Sequence, residues 1–218
     1  MEFIDLKTQQ INIRKNIESR IKKIMDHGQY IFGPEILELE TILAKDVGVK
    51  YCITCSSGTD ALLILLMAKN IGPGDAILTT PFTYIATAEV IALLGATPVF
   101  IDIYEDTYNL NPSRIEETIK LSKEKGLNPK AIIPVNLFGL PARYRMIKEI
   151  AREYGLFIIE DSAQGYGGKI RNQNACSFGD AATTSFFPAK PLGCYGDGGA
   201  IFTDNDDIAE AVKSIRNH

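Results

Sequence analysis

Only two histidines, His27 and His218, occur in 218 residues. A Ser-His-Asp triad or a histidine-rich zinc site has almost nothing to draw on, so an enzyme built on this chain moves protons with another residue type. Basic residues are not in excess. Net charge is −4, the pI is about 5.3, and there is no basic tail or charge block, so nothing points to a nucleic-acid or polyanion partner. No segment approaches the roughly 20 apolar residues needed to cross a bilayer. The N-terminus, Met1-Glu-Phe-Ile-Asp5, carries an acid early and has no apolar run of signal length, so a cytoplasmic location and no membrane partner are expected. Cysteines number four: Cys52, Cys55, Cys176 and Cys194. In a cytosolic chain disulfides are not expected. Cys52 and Cys55 have C-x-x-C spacing, but they sit in a β-branched stretch that reads as a strand, where positions three apart point to opposite faces. Two core-filling cysteines are the better reading, and no metal site is assigned.

The composition that remains, 45% hydrophobic and 23% charged, is that of a soluble globular protein with a sizeable core. Ile13, Ile17, Ile21 and Ile24 give residues 8–26 a helical period, a turn follows over His27–Pro34, and Glu35–Val47 reads as a second helix. The pattern then becomes regular. Strands are expected at Tyr51–Thr54, Ala76–Thr79, Thr97–Ile103, Ala131–Val135, Phe157–Glu160, Ala182–Phe186 and Gly199–Thr203. Helices are expected at Asp60–Lys69, Tyr84–Leu94, Ser113–Lys123, Arg143–Tyr154 and Asp206–Arg216. This alternation implies an α/β fold with a mostly parallel sheet and helices on both faces. No obvious crossover helix precedes the last strand, which leaves an antiparallel direction open to it. Residues 1–34 read as an N-terminal arm and helix, and 35–218 as one large domain.

Four constellations carry chemistry. In Cys55-Ser-Ser57-Gly58-Thr59-Asp60 a strand ends and a helix begins, so free N–H groups and hydroxyls could hold a phosphate; plain helix capping is the competing reading. Neither a P-loop nor a G-x-G-x-x-G fingerprint is present. In Thr80-Pro-Phe-Thr-Tyr84-Ile-Ala-Thr87 an aromatic lies where ligands bind in open α/β sheets and could stack on a planar cofactor, or it could be a core tyrosine. In Phe157-Ile-Ile-Glu160-Asp161-Ser-Ala-Gln164 an aspartate ends a buried strand, where a carboxylate is costly unless paired. A protonated pyridine nitrogen is a suitable partner, and Gln164 can bond the ring's phenolic oxygen; a helix-capping aspartate is the alternative. Lys190 follows Ser185-Phe-Phe-Pro-Ala in a turn rich in glycine (193, 196, 198 and 199). A lysine amine that can form a Schiff base, with an acidic partner for a ring nitrogen, points to pyridoxal phosphate.

In this order the motifs resemble the DegT/DnrJ/EryC1/StrS family of pyridoxal-phosphate sugar aminotransferases. The resemblance runs through Ser57-Gly58-Thr59, Pro81–Thr87, Glu160–Gln164 and Ser185–Gly199. The opening Phe3-Ile-Asp-Leu-Lys7 and the His27–Pro34 turn are most similar to the branch that aminates UDP-2-acetamido-2-deoxy-3-oxo-glucuronate for surface polysaccharide. The resemblance implies the large domain of a fold-type-I transferase without its C-terminal small domain, as in a fragment or a truncated relative. It makes Lys190 the Schiff-base lysine and proton shuttle, pairs Asp161 with the pyridinium nitrogen, sets Gln164 against the ring oxygen and Tyr84 against its face, and gives Gly58, Thr59 and Ser185 the phosphate. Gly28, Tyr30 and the Ala189 backbone approach the sugar nucleotide. Asn136 stands where the family often has histidine and is given no catalytic role. Glutamate is the implied amino donor and a homodimer the implied assembly. The alternatives are a non-catalytic fragment and a dehydratase of the same family, in which histidine replaces the lysine.

Overall fold

A computed structural model describes residues 4–217. Met1, Glu2 and Phe3 of the opening motif, and His218, lie outside the described residues. Helix α1 (Leu6–His27) starts at Asp5, whose carboxylate accepts the Thr8 N–H at 3.0 Å, and ends at Gly28 in the left-handed conformation, φ +70°. It buries no residue. Arg20–Glu38 at 2.9 Å and His27–Glu35 at 3.3 Å join it to α2 (Pro34–Val47). Exposed pairs such as Arg20–Glu38 contribute about 0–1 kcal/mol, and no α1 residue is buried, so α1 adds little to the core. Helix α2 instead buries Leu43, Ala44 and Val47.

The remainder alternates: β1 (Tyr51–Cys55), α3 (Gly58–Ala68), β2 (Asp75–Thr79), α4 (Ala86–Leu93), β3 (Thr97–Phe100), α5 (Ile115–Glu124), β4 (Asn128–Ile132), α6 (Tyr144–Tyr154), β5 (Phe157–Asp161), a short hairpin β6 (Lys169–Ile170) and β7 (Gln173–Asn174), β8 (Ala181–Ser185), β9 (Gly199–Thr203) and α7 (Asp206–Asn217). Seven strands form one sheet in the order β1-β9-β8-β5-β4-β2-β3. From β8 to β3 every pairing is parallel, and β9 runs antiparallel to both its neighbours. The chain returns from β8 to β9 through a loop without a crossover helix, the connection that parallel pairing ordinarily needs.

Strand period two feeds both faces. Ile77, Ile159 and Ile201 pack with α3, α4 and α7, whereas Leu78 and Ile158 pack with α5 and α6, and Phe202 packs with α2. Leu65 and Leu66 of α3 are wholly buried, each stabilising by about 1.5–3 kcal/mol, which anchors this helix against the sheet. Cys52 joins the α2 cluster and Cys55 the α3 cluster, on opposite faces as the strand period requires.

Several boundaries differ from the sequence expectation. The strand expected over Thr97–Ile103 ends at Phe100, and Ile103 keeps a single bridge to Leu110. The strand expected over Ala131–Val135 runs from Asn128 to Ile132: Pro134 has no N–H to donate, and Val135 retains one bridge to Asp161. Tyr84 precedes its helix rather than opening it. The β6–β7 hairpin, too short for any alternation, was not expected; Asn174 Nδ2 ties it to the Asp46 carbonyl at 2.8 Å.

Candidate active site

The C-terminal ends of β1, β2, β5 and β8 lie along one edge of the sheet, where ligands bind in open α/β folds. A cavity of about 410 Å³ opens there. Gly58, Thr59, Tyr84, Asp161, Gln164, Ser185, Ala189 and Lys190 all line it. The structure thus unites eight residues drawn from four separate motifs.

At the first wall, Ser57 caps α3: its Oγ accepts the Asp60 N–H at 3.0 Å. The capping role therefore belongs to Ser57 and does not draw on Gly58 or Thr59. Gly58 and Thr59, the first residues of the helix, have no carbonyl one turn back for their N–H groups, which with the helix dipole makes an anion site. A Cβ on Gly58 would lie 2.7 Å from the Ser185 Cβ, so only glycine lets α3 come this close to the end of β8. Ser185 is buried, and its Oγ accepts the Phe187 N–H at 3.2 Å.

Lys190 stands on the loop between β8 and β9. The Lys190 N–H donates to the Phe187 carbonyl at 2.8 Å, and the Cys194 N–H donates to the Phe186 carbonyl at 2.8 Å. A Cβ on Gly193 would fall 2.3 Å from the Pro188 oxygen, so this fold-back also requires glycine. Lys190 is half-buried in the cavity wall.

Asp161 is 4% exposed and reaches the cavity from the end of β5. Its Oδ1 accepts the Ala163 N–H at 3.1 Å and its Oδ2 accepts the Thr87 hydroxyl at 2.8 Å. No helix follows, so it is not a helix cap. Burial pushes its pKa up, while the two hydrogen bonds and the nearby Lys190 charge pull it back. Gln164 Oε1 accepts the Phe138 N–H at 3.0 Å, which fixes the amide and leaves its NH₂ as a donor. Tyr84 is 67% exposed, which excludes the core-tyrosine reading.

Gly28 and Tyr30 are not brought to this cavity. Gly28 caps α1, and Tyr30 lines a second cavity of about 770 Å³ together with Phe32, Cys194 and Arg216. Asp197 lines both cavities, which places them side by side. Sequence reasoning gave no role to Thr87, Phe187 or Asp197, although all line the first cavity. Thr87 carried a signal in its four-residue spacing from Thr83. Asn136 is wholly buried and structural: its Nδ2 donates to Glu160 Oε1 and Ser162 Oγ, and its Oδ1 accepts from Ala142 N and the Tyr144 hydroxyl.

A mostly parallel α/β sheet with a lysine and an aspartate facing one cavity at its strand ends is the architecture of an aminotransferase large domain. The chain belongs to the DegT/DnrJ/EryC1/StrS aminotransferase family, whose sequence profile matches residues 11–218. It is 52% identical, over its whole length and 59% of the relative's, to the UDP-2-acetamido-2-deoxy-3-oxo-D-glucuronate aminotransferase of Pseudomonas aeruginosa. A DegT/DnrJ/EryC1/StrS aminotransferase from Brucella abortus superposes with a TM-score of 0.97 at 50% identity, over 99% of this chain and 58% of that one. NtdA from Bacillus subtilis, solved with bound cofactor PMP, gives 0.84 at 32% identity over 92% of this chain and 44% of that one. The chain thus spans less than three-fifths of the length of each of these proteins.

Proposed function

We propose that the chain carries the cofactor-binding part of a pyridoxal-phosphate-dependent aminotransferase. In this reading it moves an amino group from glutamate to a keto nucleotide sugar, in a homodimeric cytoplasmic enzyme of surface-polysaccharide synthesis. The observation that carries it is the meeting of Lys190 and Asp161 in one cavity, beside a helix N-terminus packed too tightly for any side chain at Gly58. The cofactor fits what is present. Among the described residues Asp161 is a buried carboxylate with two protein donors, and a cationic ring nitrogen would supply a further partner. The N–H groups of Gly58 and Thr59, with the Ser185 hydroxyl, would hold the phosphate. The free NH₂ of Gln164 would donate to the ring oxygen, and Tyr84 would cover a face of the ring.

When bound, pyridoxal phosphate supplies a carbonyl that exchanges amino groups and a ring that accepts electrons. Lys190 Nζ would supply the base: it would take the proton from the donor's α-carbon and pass it to the carbon that had been the aldehyde, the work that scarce histidine leaves undone. Asp161 keeps the opposite end of the site negative. Because Lys190 belongs to a folded-back loop, its backbone is held beside the cavity in advance. The similarity to the Pseudomonas enzyme favours UDP-2-acetamido-2-deoxy-3-oxo-glucuronate as the acceptor. Borohydride reduction of the full-length protein with pyridoxal phosphate, followed by peptide mapping, tests the assignment. An adduct at Lys190 is expected, and its absence would sink the reading. Product formation from glutamate and the keto sugar tests the substrates.

A further inference from the structure

Asp161 is held from α4 as well as from the turn that follows its own strand. Thr87, 1% exposed, donates its hydroxyl to Oδ2 at 2.8 Å, and Thr83 Oγ1 lies 3.0 Å from Thr87 Oγ1. Thr41, Thr118 and Ser122 spend their hydroxyls on the carbonyl four residues back. Thr87 does not. An ionised carboxylate can only accept, so Thr87 must donate to Asp161 and accept from Thr83. The charge at the inner end fixes the direction of the whole chain; a protonated Asp161 would free it to reverse.

We propose that Thr87, backed by Thr83, is a positioning residue that holds Asp161 Oδ2 in place as an ionised acceptor for a cationic ring nitrogen. This rests on the cofactor reading given above. Other ionisable groups surround the carboxylate. Lys190 approaches from the β8–β9 loop and favours its charge; Glu160 lies on the same strand. The Tyr144 hydroxyl and Cys176 thiol are pushed well up, chiefly by burial, and remain neutral. Thr87 and the Ala163 N–H are therefore the neutral donors that favour the charged form.

The test uses the full-length protein with Thr87→Val, Thr87→Ser and Thr83→Val, with Thr87→Ala standing in should the valine variant not fold. In cofactor-free protein the Asp161 carboxyl is titrated by isotope-edited infrared spectroscopy, and affinity for pyridoxal phosphate is then read from absorbance. Thr87→Val should titrate at higher pH than the wild type and bind about tenfold more weakly, the scale of one hydrogen bond to a charged group. Thr87→Ser should restore both, and Thr83→Val should shift both less. Wild-type titration in Thr87→Val, or no restoration by serine, overturns the proposal. A wild-type protein that forms no adduct at Lys190 would instead overturn the cofactor reading, and the cofactor-free titration would still decide the role of Thr87.

Discussion

Glu160 and Asp161 are adjacent on β5 and both buried, and burial raises the pKa of each. What separates them is the number of donors each meets. Glu160 Oε1 accepts from Asn136 Nδ2, the Ser162 hydroxyl and the Cys176 N–H at 2.6–2.7 Å; its Oε2 accepts from the N–H groups of Phe178 at 2.7 Å and Gly179 at 3.3 Å. Asp161, pointing to the opposite face as strand geometry requires, accepts from two donors and borders a cavity. A buried carboxylate saturated from within is part of the framework. One left short of partners waits for a charge from outside.

The comparison can be attacked directly, and the largest effect belongs to the group across the cavity. Lys190→Ala in the full-length protein should lower glutamate-dependent transamination by about 10³-fold or more while leaving the unfolding transition in place. Normal turnover would remove the partner that gives Asp161 its meaning. Asp161→Asn should lower turnover by about 10²-fold or more, because an amide cannot hold a cationic nitrogen. Its stability should move the other way. The folded chain binds the Asp161 proton more tightly than the unfolded chain, so stability falls as pH rises from the ordinary aspartate range through the raised value. The asparagine variant lacks this slope, and its cofactor-free form should match or exceed the wild type at neutral pH, with any advantage disappearing in acid. Thermal melts across pH check this.

Glu160→Gln has the same pH sense in principle but the opposite outcome. An NH₂ would face donors on whichever oxygen it replaced, and chemical denaturation should show a loss of about 3 kcal/mol. A neutral result would mean the two carboxylates are not distinguished by their donors. Tyr144→Phe removes one donor to Asn136 Oδ1, which keeps its bond from Ala142 N; a loss of about 1 kcal/mol with unchanged cofactor affinity is expected.

Much of this arrangement was legible in the sequence. Apolar runs that give way to Ser57-Gly58-Thr59, end at Asp161, or end at Ser185 ahead of Lys190 mark the strand ends, and strand ends share an edge in an open sheet. The missing crossover helix left an antiparallel direction open to β9, and the sheet takes it. The less legible parts depend on tertiary contact. Asn128-Pro-Lys130 carries no strand signal and is recruited by pairing with β2. The role of Asn136 as a four-bond hub, and that of Thr87 as a donor to a carboxylate 74 positions away, exist only once the strands are side by side. Tyr30 stands at a neighbouring cavity and Gly28 at the end of α1, a helix that buries no residue of its own.

The place of β9 between β1 and β8 also sets a schedule. Strand β1 is complete at Cys55, but its only partner in the sheet is residues 199–203. At a synthesis rate of about 5–20 residues per second, β1 leaves the ribosome on the order of ten seconds before that partner exists. Until then β9 is not there to join β1 to β8 beside the turn that carries Gly58 and Thr59, and an apolar strand edge stays open. The turn that carries Gly58 and Thr59 is therefore among the last parts of the described fold to reach its packed form, and nascent chains stalled before residue 199 should bind chaperones more than longer ones.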